Sequence, residues 1–243
     1  VATPAWPSWN SRCRRWFSKT CGDAGWKWST CFADIEGTRI AMRYTGLVQG
    51  PLGRNCIHLC VDMQLLFLPG SAWGTPWMER SLPAIEELAG MRAARTVFTR
   101  FVPARDIDGA VGSWKRYYRK WDAMTLARLD PSRIELVPSL RRFAPPATII
   151  DKRVYSPWTE GRLDALLAAS STNTLIVTGG ETDVCVLATV LGAVDRGYRV
   201  VVAADAVCGS ADETHDAAMT IFASRFGEQI EMATVAEIIE SWR

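Results

Sequence analysis

At 243 residues the chain is long enough for one large α/β domain with a full core and too short for two complete catalytic domains. Apolar residues make up 48% and charged residues 22%, and no run of about 18 apolar residues is present to span a bilayer, so a soluble globular protein with no membrane partner is expected. The formal charge of +2 hides an asymmetry: residues 1–52 carry seven Lys or Arg against three acids, which leaves the remainder near −2 and argues against a nucleic-acid partner.

Two domains are expected, an atypical Trp/Cys-rich stretch over 1–52 and a regular domain over 53–243. The first holds Trp6, Trp9, Trp16, Trp26 and Trp28 with Cys13, Cys21 and Cys31, and shows neither helical nor strand periodicity. No apolar core follows its arginines, so it does not read as a signal peptide. It is either sequence upstream of a natural start at Met42 or an extension that wraps a neighbouring subunit.

From residue 55 onward, apolar runs of strand length alternate with amphipathic segments of helix length, which is the pattern of a parallel sheet. Residues 56–61 (CIHLCV) read as a buried first strand. Thr75 and Pro76 supply an N-cap and a favoured proline position for a helix through about Ala89. Residues 95–101 and 147–150 read as the second and third strands, with a long excursion between them. A helix over 162–169, a strand over 174–178, a helix over 182–196 and a strand over 199–204 follow. Ser210 with Glu213 and Thr234 with Glu237 have capping-box spacing for two last helices, with a short strand over 229–232 between them. The fold class is therefore α/β, a three-layer α/β/α doubly wound and mainly parallel sheet.

Ligands of such sheets bind beyond the carboxyl ends of the strands. Three chemically useful residues stand there: Asp62 after the first strand, Lys152 after the third, and Cys185 in the first turn after Gly179 and Gly180. A helix start and a nearby ammonium lower the pKa of a thiol and make it nucleophilic. A carboxylate in reach can take the thiol proton and later deliver it to a leaving amine. Taken singly, each has a plain structural reading, a core cysteine, a loop-capping aspartate and a solvated lysine. Their shared placement at strand ends favours a site.

These segments resemble the isochorismatase-like cysteine hydrolases. VDMQ (61–64) followed by Phe67 is similar to their first-strand motif, DKRVYSPW (151–158) to the segment with their lysine, and TGGETDVCVLATVLGAVDRGYRVVVAADAV (178–207) to the segment with their nucleophilic cysteine. The likeness covers about 54–243. It implies hydrolysis of a C–N bond in a small amide, urea-like or carbamoyl compound through a thioester on Cys185, with Asp62 as general acid and base and Lys152 orienting Asp62. It also implies a cis peptide between Gly180 and Glu181, and an oxyanion hole from the backbone N–H groups of Glu181 and Cys185. Gln64, Phe67, Arg100 and Trp158 become candidates for substrate binding, Arg100 being equally readable as an ordinary ion pair.

No cofactor and no catalytic metal are expected. The nicotinamidase branch places a metal with an aspartate and histidines after its second strand, whereas the segment after Arg100 contains no histidine. The chain's two histidines are His58, inside the first strand, and His215, read as a packed helix residue. Cys185 argues against vinyl ether cleavage, because members that perform it lack the cysteine. The segment 112–129 gathers Trp114, Tyr117, Tyr118 and Trp121 among basic residues, which suits a lid or a subunit contact better than a nucleic-acid surface. The other classes are a thiol redox protein, with Cys208 as resolving thiol, and a non-catalytic binder on the same fold. Seven cysteines without metal-ligand spacing point to a reducing cytoplasm, and the resemblance implies a homo-oligomer, dimer or tetramer.

Overall fold

The computed structural model describes residues 32–35, 38–41 and 45–243, so the expectations for the tryptophans and cysteines near the amino terminus lie outside the described residues. The chain divides into two compact units, Val1–Ala41 and Met42–Arg243. In the first, β1 (Phe32–Ile35) pairs antiparallel with β2 (Thr38–Ala41).

The second unit is built on six parallel strands: β3 (Cys56–Val61), β4 (Thr96–Phe101), β5 (Thr148–Lys152), β6 (Thr174–Gly180), β7 (Arg199–Cys208) and β8 (Ile230–Ala233). Their order is β5-β4-β3-β6-β7-β8. Every residue of β3 and β6 is buried, because parallel strands joined by crossover helices are covered on both faces. Alternate side chains of β3 therefore enter two cores. Cys56 and Cys60 pack with Ile85, Leu88 and Ile238 of α1 (Met78–Met91) and α7 (Val235–Ser241). Ile57, Leu59 and Val61 pack on the opposite face with Leu163, Val190 and Met219 of α4 (Arg162–Ala169), α5 (Leu187–Asp195) and α6 (Asp212–Thr220). This is the expected three-layer α/β/α architecture. The excursion after β4 contains α2 (Ser113–Lys120) and the short α3 (Pro138–Arg141).

His58 ties three strands together: its ring nitrogens lie 3.2 Å from Thr96 Oγ1 on β4 and 2.7 Å from Thr178 Oγ1 on β6. Complete burial pushes its pKa down to about 3, so it serves as a neutral internal link. Residues 45–52 are bound to the same unit, with Gly46 N–H donating to Met232 O and Leu52 N–H to Ser241 Oγ.

Several element ends differ from the sequence reading. Helix α1 starts at Met78 with Trp77 at the N-cap position. Thr75 instead closes a turn through its carbonyl, and its hydroxyl is buried without a partner. The Ser210/Glu213 box does not form, since Ala211 is the N-cap of α6 and no side chain caps it. The Thr234/Glu237 box does form. Strand β7 runs on to Cys208 through an irregularity in its pairing with β6, where Asp205 accepts the Val235 N–H at 2.9 Å. An acid that reads as the end of a strand is thus a bulge residue holding the start of α7.

Two glycines permit close approach. Gly179 has φ +100°, and a Cβ there would lie 2.1 Å from the Val61 carbonyl oxygen. At Gly192 on α5 a Cβ would lie 2.2 Å from Trp158 Cδ1. Gly192→Ala is expected to lower stability by about 1–3 kcal/mol through overpacking, seen as a lower urea midpoint with an unchanged m value.

Candidate active site

In this sheet the chain leaves β3 toward β4 and β5 and returns on the other side to β6, so the topological switch point lies between the carboxyl ends of β3 and β6. Asp62 follows β3 with φ +51°, and its N–H donates to Thr99 O at 3.2 Å. That turn aims the carboxylate along the strand ends. Thr99 Oγ1 donates to Asp62 Oδ1 at 2.6 Å and fixes the rotamer.

Lys152 is the last residue of β5, two strands from β3. Its stem crosses the end of β4, and Nζ stands 5.3 Å from the Phe101 ring centroid, a cation–π distance. The ammonium lies 2.6 Å from Asp62 Oδ2 and 3.4 Å from Cys185 Sγ, and it donates to Val154 O at 3.3 Å. Asp62 and Lys152 are each only 2% exposed and Cys185 6%. Cys185 is delivered by a single π-helical turn, Thr182–Val186, in which Val186 N–H donates to Glu181 O at 3.0 Å. Thr189 Oγ1 donates to Cys185 O at 2.6 Å and braces the junction with α5. The peptide between Gly180 and Glu181 is cis, as the resemblance implied. The expected continuous helix over 182–196 is thus two pieces. The wide turn is where the cysteine sits, a common place for a π-bulge.

Electrostatics correct one expectation. Burial pushes the Cys185 thiol above its ordinary value, against the pull of Lys152, and the Asp62 carboxylate opposes thiol ionisation as well. The Lys152 ammonium also loses solvation, but the neighbouring Asp62 and Cys185 hold its pKa above the usual lysine value. Burial of the sulfur thus favours the neutral thiol, beside the 2.6 Å contact between Lys152 and Asp62.

The substrate-binding candidates divide. Phe67 is half-buried, stacked on Trp73 at 6.4 Å within the aromatic group beside the site. Gln64 is committed to backbone: its Nε2 donates to Phe101 O and Ile134 O, and its Oε1 accepts the Phe101 N–H at 2.6 Å. Arg100 forms a two-bond pair with Asp151 and a further bond of 2.7 Å to Glu135, so the ion pair weighed from the sequence is present. Trp158 lies in the core on α5, with Nε1 donating to Thr189 O and its ring stacked on Tyr198. These three support the site from behind.

Residues not named from the sequence as catalytic or substrate-binding candidates also stand here. Thr99 orients Asp62. Tyr117 on α2 and Tyr155 after β5 lie within electrostatic reach of Cys185 and Glu181, and burial pushes both phenols up. Trp114 joins them, 5.3 Å from Tyr117 and 4.9 Å from Tyr155. The aromatic face of the 112–129 segment packs beside Phe101, the ring under Lys152, with Trp114 6.3 Å from it, while Arg116, Arg119 and Lys120 are exposed. Alternating aromatic and basic residues on one short helix were the available signal for that face. His215 is buried against Thr182 and the Trp77 ring, as a packed residue. Cys208 is buried, and burial pushes its thiol up to about 12.

With the thiol protonated at rest, alkylation of Cys185 by iodoacetamide should keep accelerating beyond pH 9.0, its ordinary value, when followed peptide by peptide in a mass spectrometer. A rate that levels off near neutral pH would contradict this resting state.

Residues 56–234 match the model of the isochorismatase domain. A cysteine hydrolase from Pseudomonas syringae pv. phaseolicola 1448A is 29% identical over 77% of this chain and 92% of its own, with a TM-score of 0.65. N-carbamoylsarcosine amidase from Thermoplasma acidophilum is 20% identical over 74% of this chain and 96% of its own, with a TM-score of 0.59. A pyrazinamidase/nicotinamidase from Streptococcus mutans UA159 is 21% identical over 72% and 99%, with a TM-score of 0.57. The likeness to the last two is one of fold alone. No curated protein matches the chain. A domain match over most of the chain, on a sheet of this topology, makes the chain a hydrolase that belongs to the isochorismatase family.

Proposed function

We propose that the chain hydrolyses a C–N bond in a small amide, urea-like or carbamoyl compound through a thioester on Cys185. The observation that carries this reading is the buried ammonium of Lys152, which stands between the Asp62 carboxylate at 2.6 Å and the Cys185 sulfur at 3.4 Å. As substrate enters, Asp62 Oδ2 takes the thiol proton and the thiolate attacks the carbonyl carbon. Lys152 stabilises the thiolate during this step. The oxyanion draws on the N–H groups of Glu181 and Cys185. Collapse of the adduct expels ammonia or an amine, which leaves with the proton held by Asp62. Water then loses a proton to Asp62 and attacks the thioester. The acid departs, and the proton returns to sulfur.

Metal independence forms part of the proposal, and the donor set supports it. The segment after β4 contains no histidine, and Asp106 there caps its own turn by accepting the Gly109 N–H at 2.7 Å. Among the described residues, no three His, Cys, Asp or Glu side chains converge as a metal-binding group. We assign this activity to residues 53–243 and treat 1–52 as an extension. A homo-oligomer in a reducing cytoplasm completes the reading, supported by the family resemblance and by Cys56, Cys60, Cys185 and Cys208 being free thiols.

Ammonia release from an amide panel should survive chelators. It should fall at least about 10³-fold in Cys185→Ala and about 10²- to 10⁴-fold in Asp62→Asn, with both variants folded by circular dichroism. Undiminished turnover in Cys185→Ala would overturn the proposal. A Cys185→Ser variant should retain the fold and lose turnover, because an alkoxide is far harder to form beside Asp62 than a thiolate.

A further inference from the structure

The aspartate of the proposed mechanism is held in place by a residue that makes and breaks no bonds. Parallel pairing of β3 with β4 runs from His58 opposite Thr96 to Cys60 opposite Phe98, and Asp62 extends it by donating its N–H to Thr99 O at 3.2 Å. Asp62 has φ +51°, a left-handed conformation that a residue with a Cβ keeps only when its surroundings hold it. The Thr99 hydroxyl supplies two of those holds. It accepts the Asp62 N–H at 3.2 Å and donates its own proton to Asp62 Oδ1 at 2.6 Å. One side chain thus fixes both the backbone and the carboxylate of Asp62. Thr99 is fully buried, and its branched Cβ restricts the directions its hydroxyl can take.

With Oδ1 held by Thr99, Oδ2 lies 2.6 Å from Lys152 Nζ. The other acceptors of the ammonium are farther away, Val154 O at 3.3 Å and Cys185 Sγ at 3.4 Å. The carboxylate is the first claimant on the lysine charge and the sulfur the last. How much of that charge acts on the sulfur therefore depends on where the carboxylate is held. The titratable groups within electrostatic reach of Asp62 are Lys152, Cys185, Glu181 and Cys60, and of these only Lys152 is a cation.

We infer that Thr99 is a positioning residue that acts through Asp62: its hydroxyl keeps the carboxylate against Lys152, and this placement sets both the proton transfer at Asp62 and the reactivity of the Cys185 sulfur. The role in proton transfer rests on the C–N hydrolase reading above, and the role at the sulfur does not. Without the hydroxyl, Oδ1 becomes a buried carboxylate oxygen that has lost its donor. The carboxylate then turns away or takes up a proton. In both cases Lys152 loses its counter-charge, and the sulfur is the group left beside it that can carry a compensating charge.

Thr99→Val removes the hydroxyl and keeps the branched shape, and Thr99→Ser keeps the hydroxyl alone. In the full chain, alkylation of Cys185 by iodoacetamide at neutral pH should be about tenfold faster in Thr99→Val and return to near the wild-type rate in Thr99→Ser, followed peptide by peptide in a mass spectrometer. Cys60 and Cys208, buried in the same domain, should keep their wild-type rates. Loosening of the fold would speed all three together. With an amide that the wild type hydrolyses, kcat should fall by at least about tenfold in Thr99→Val with KM within about twofold, and Thr99→Ser should recover most of the loss.

Faster alkylation of Cys185 alone in Thr99→Val, with no ammonia released by the wild type from any amide, would sustain the role of Thr99 at the sulfur and count against the hydrolase reading. An unchanged Cys185 rate in Thr99→Val, a rise shared with Cys60 and Cys208, or a loss of kcat that Thr99→Ser does not recover would overturn the positioning role and leave the hydrolase reading intact.

Discussion

The contact on which the rest of the site depends is the ion pair between Lys152 Nζ and Asp62 Oδ2 at 2.6 Å. Removing two charges from water costs several kcal/mol for each ion, and only a partner at close range offsets this. The two residues stand 90 positions apart in the chain and two strands apart in the sheet. Their meeting requires the β5-β4-β3 order, and Phe101 at the end of β4 places its ring beneath the lysine ammonium at 5.3 Å. Asp62 needs its own support, which Thr99 supplies through its hydroxyl and carbonyl. The excursion between β4 and β5 carries the aromatic residues that shield the pair from solvent.

The same contact sets the resting chemistry. A lone buried lysine would favour thiolate, but the adjacent carboxylate already satisfies most of that charge, and burial of the sulfur completes the shift toward neutral thiol. A neutral thiol is less open to oxidation and alkylation than a thiolate, the reactive form. In the proposed mechanism one proton moves between sulfur, Asp62 and the leaving nitrogen, and the net charge of the site never departs from its resting value.

Several polar or aromatic side chains near the strand ends have their hydrogen-bonding groups taken up within the fold. Gln64 staples the end of β4 and residue 134 to the segment after β3, Arg100 clamps Asp151 and Glu135, and Trp158 fills the space left by Gly192. Buried or half-buried polar groups must find partners, and backbone and carboxylates within the fold satisfied these before a substrate could. Glu181 is the contrasting case. Its carbonyl is used by the turn, while its carboxylate forms no ion pair among the described residues.

The alternation of apolar runs was enough to establish six strands with helices on both faces, because burial on both sides of a parallel sheet leaves continuous apolar segments such as 56–61 and 174–180. Strand-end placement likewise exposed Asp62, Lys152 and Cys185 as one constellation, because the carboxyl edge of such a sheet is where the chain leaves the core. Other features depended on atoms brought together from far apart in the chain. Thr99 could not be told from any other threonine of a strand until Asp62 lay across from it, and Tyr155 had no periodicity to mark it. The neutral state of the thiol, the commitment of Arg100 and the unpaired state of Glu181 follow from burial and from charges on other strands. Local sequence thus determined which elements form and where each ends to within a few residues. Desolvation and partner choice, which only the tertiary structure decides, determined which of the polar residues remain free to act.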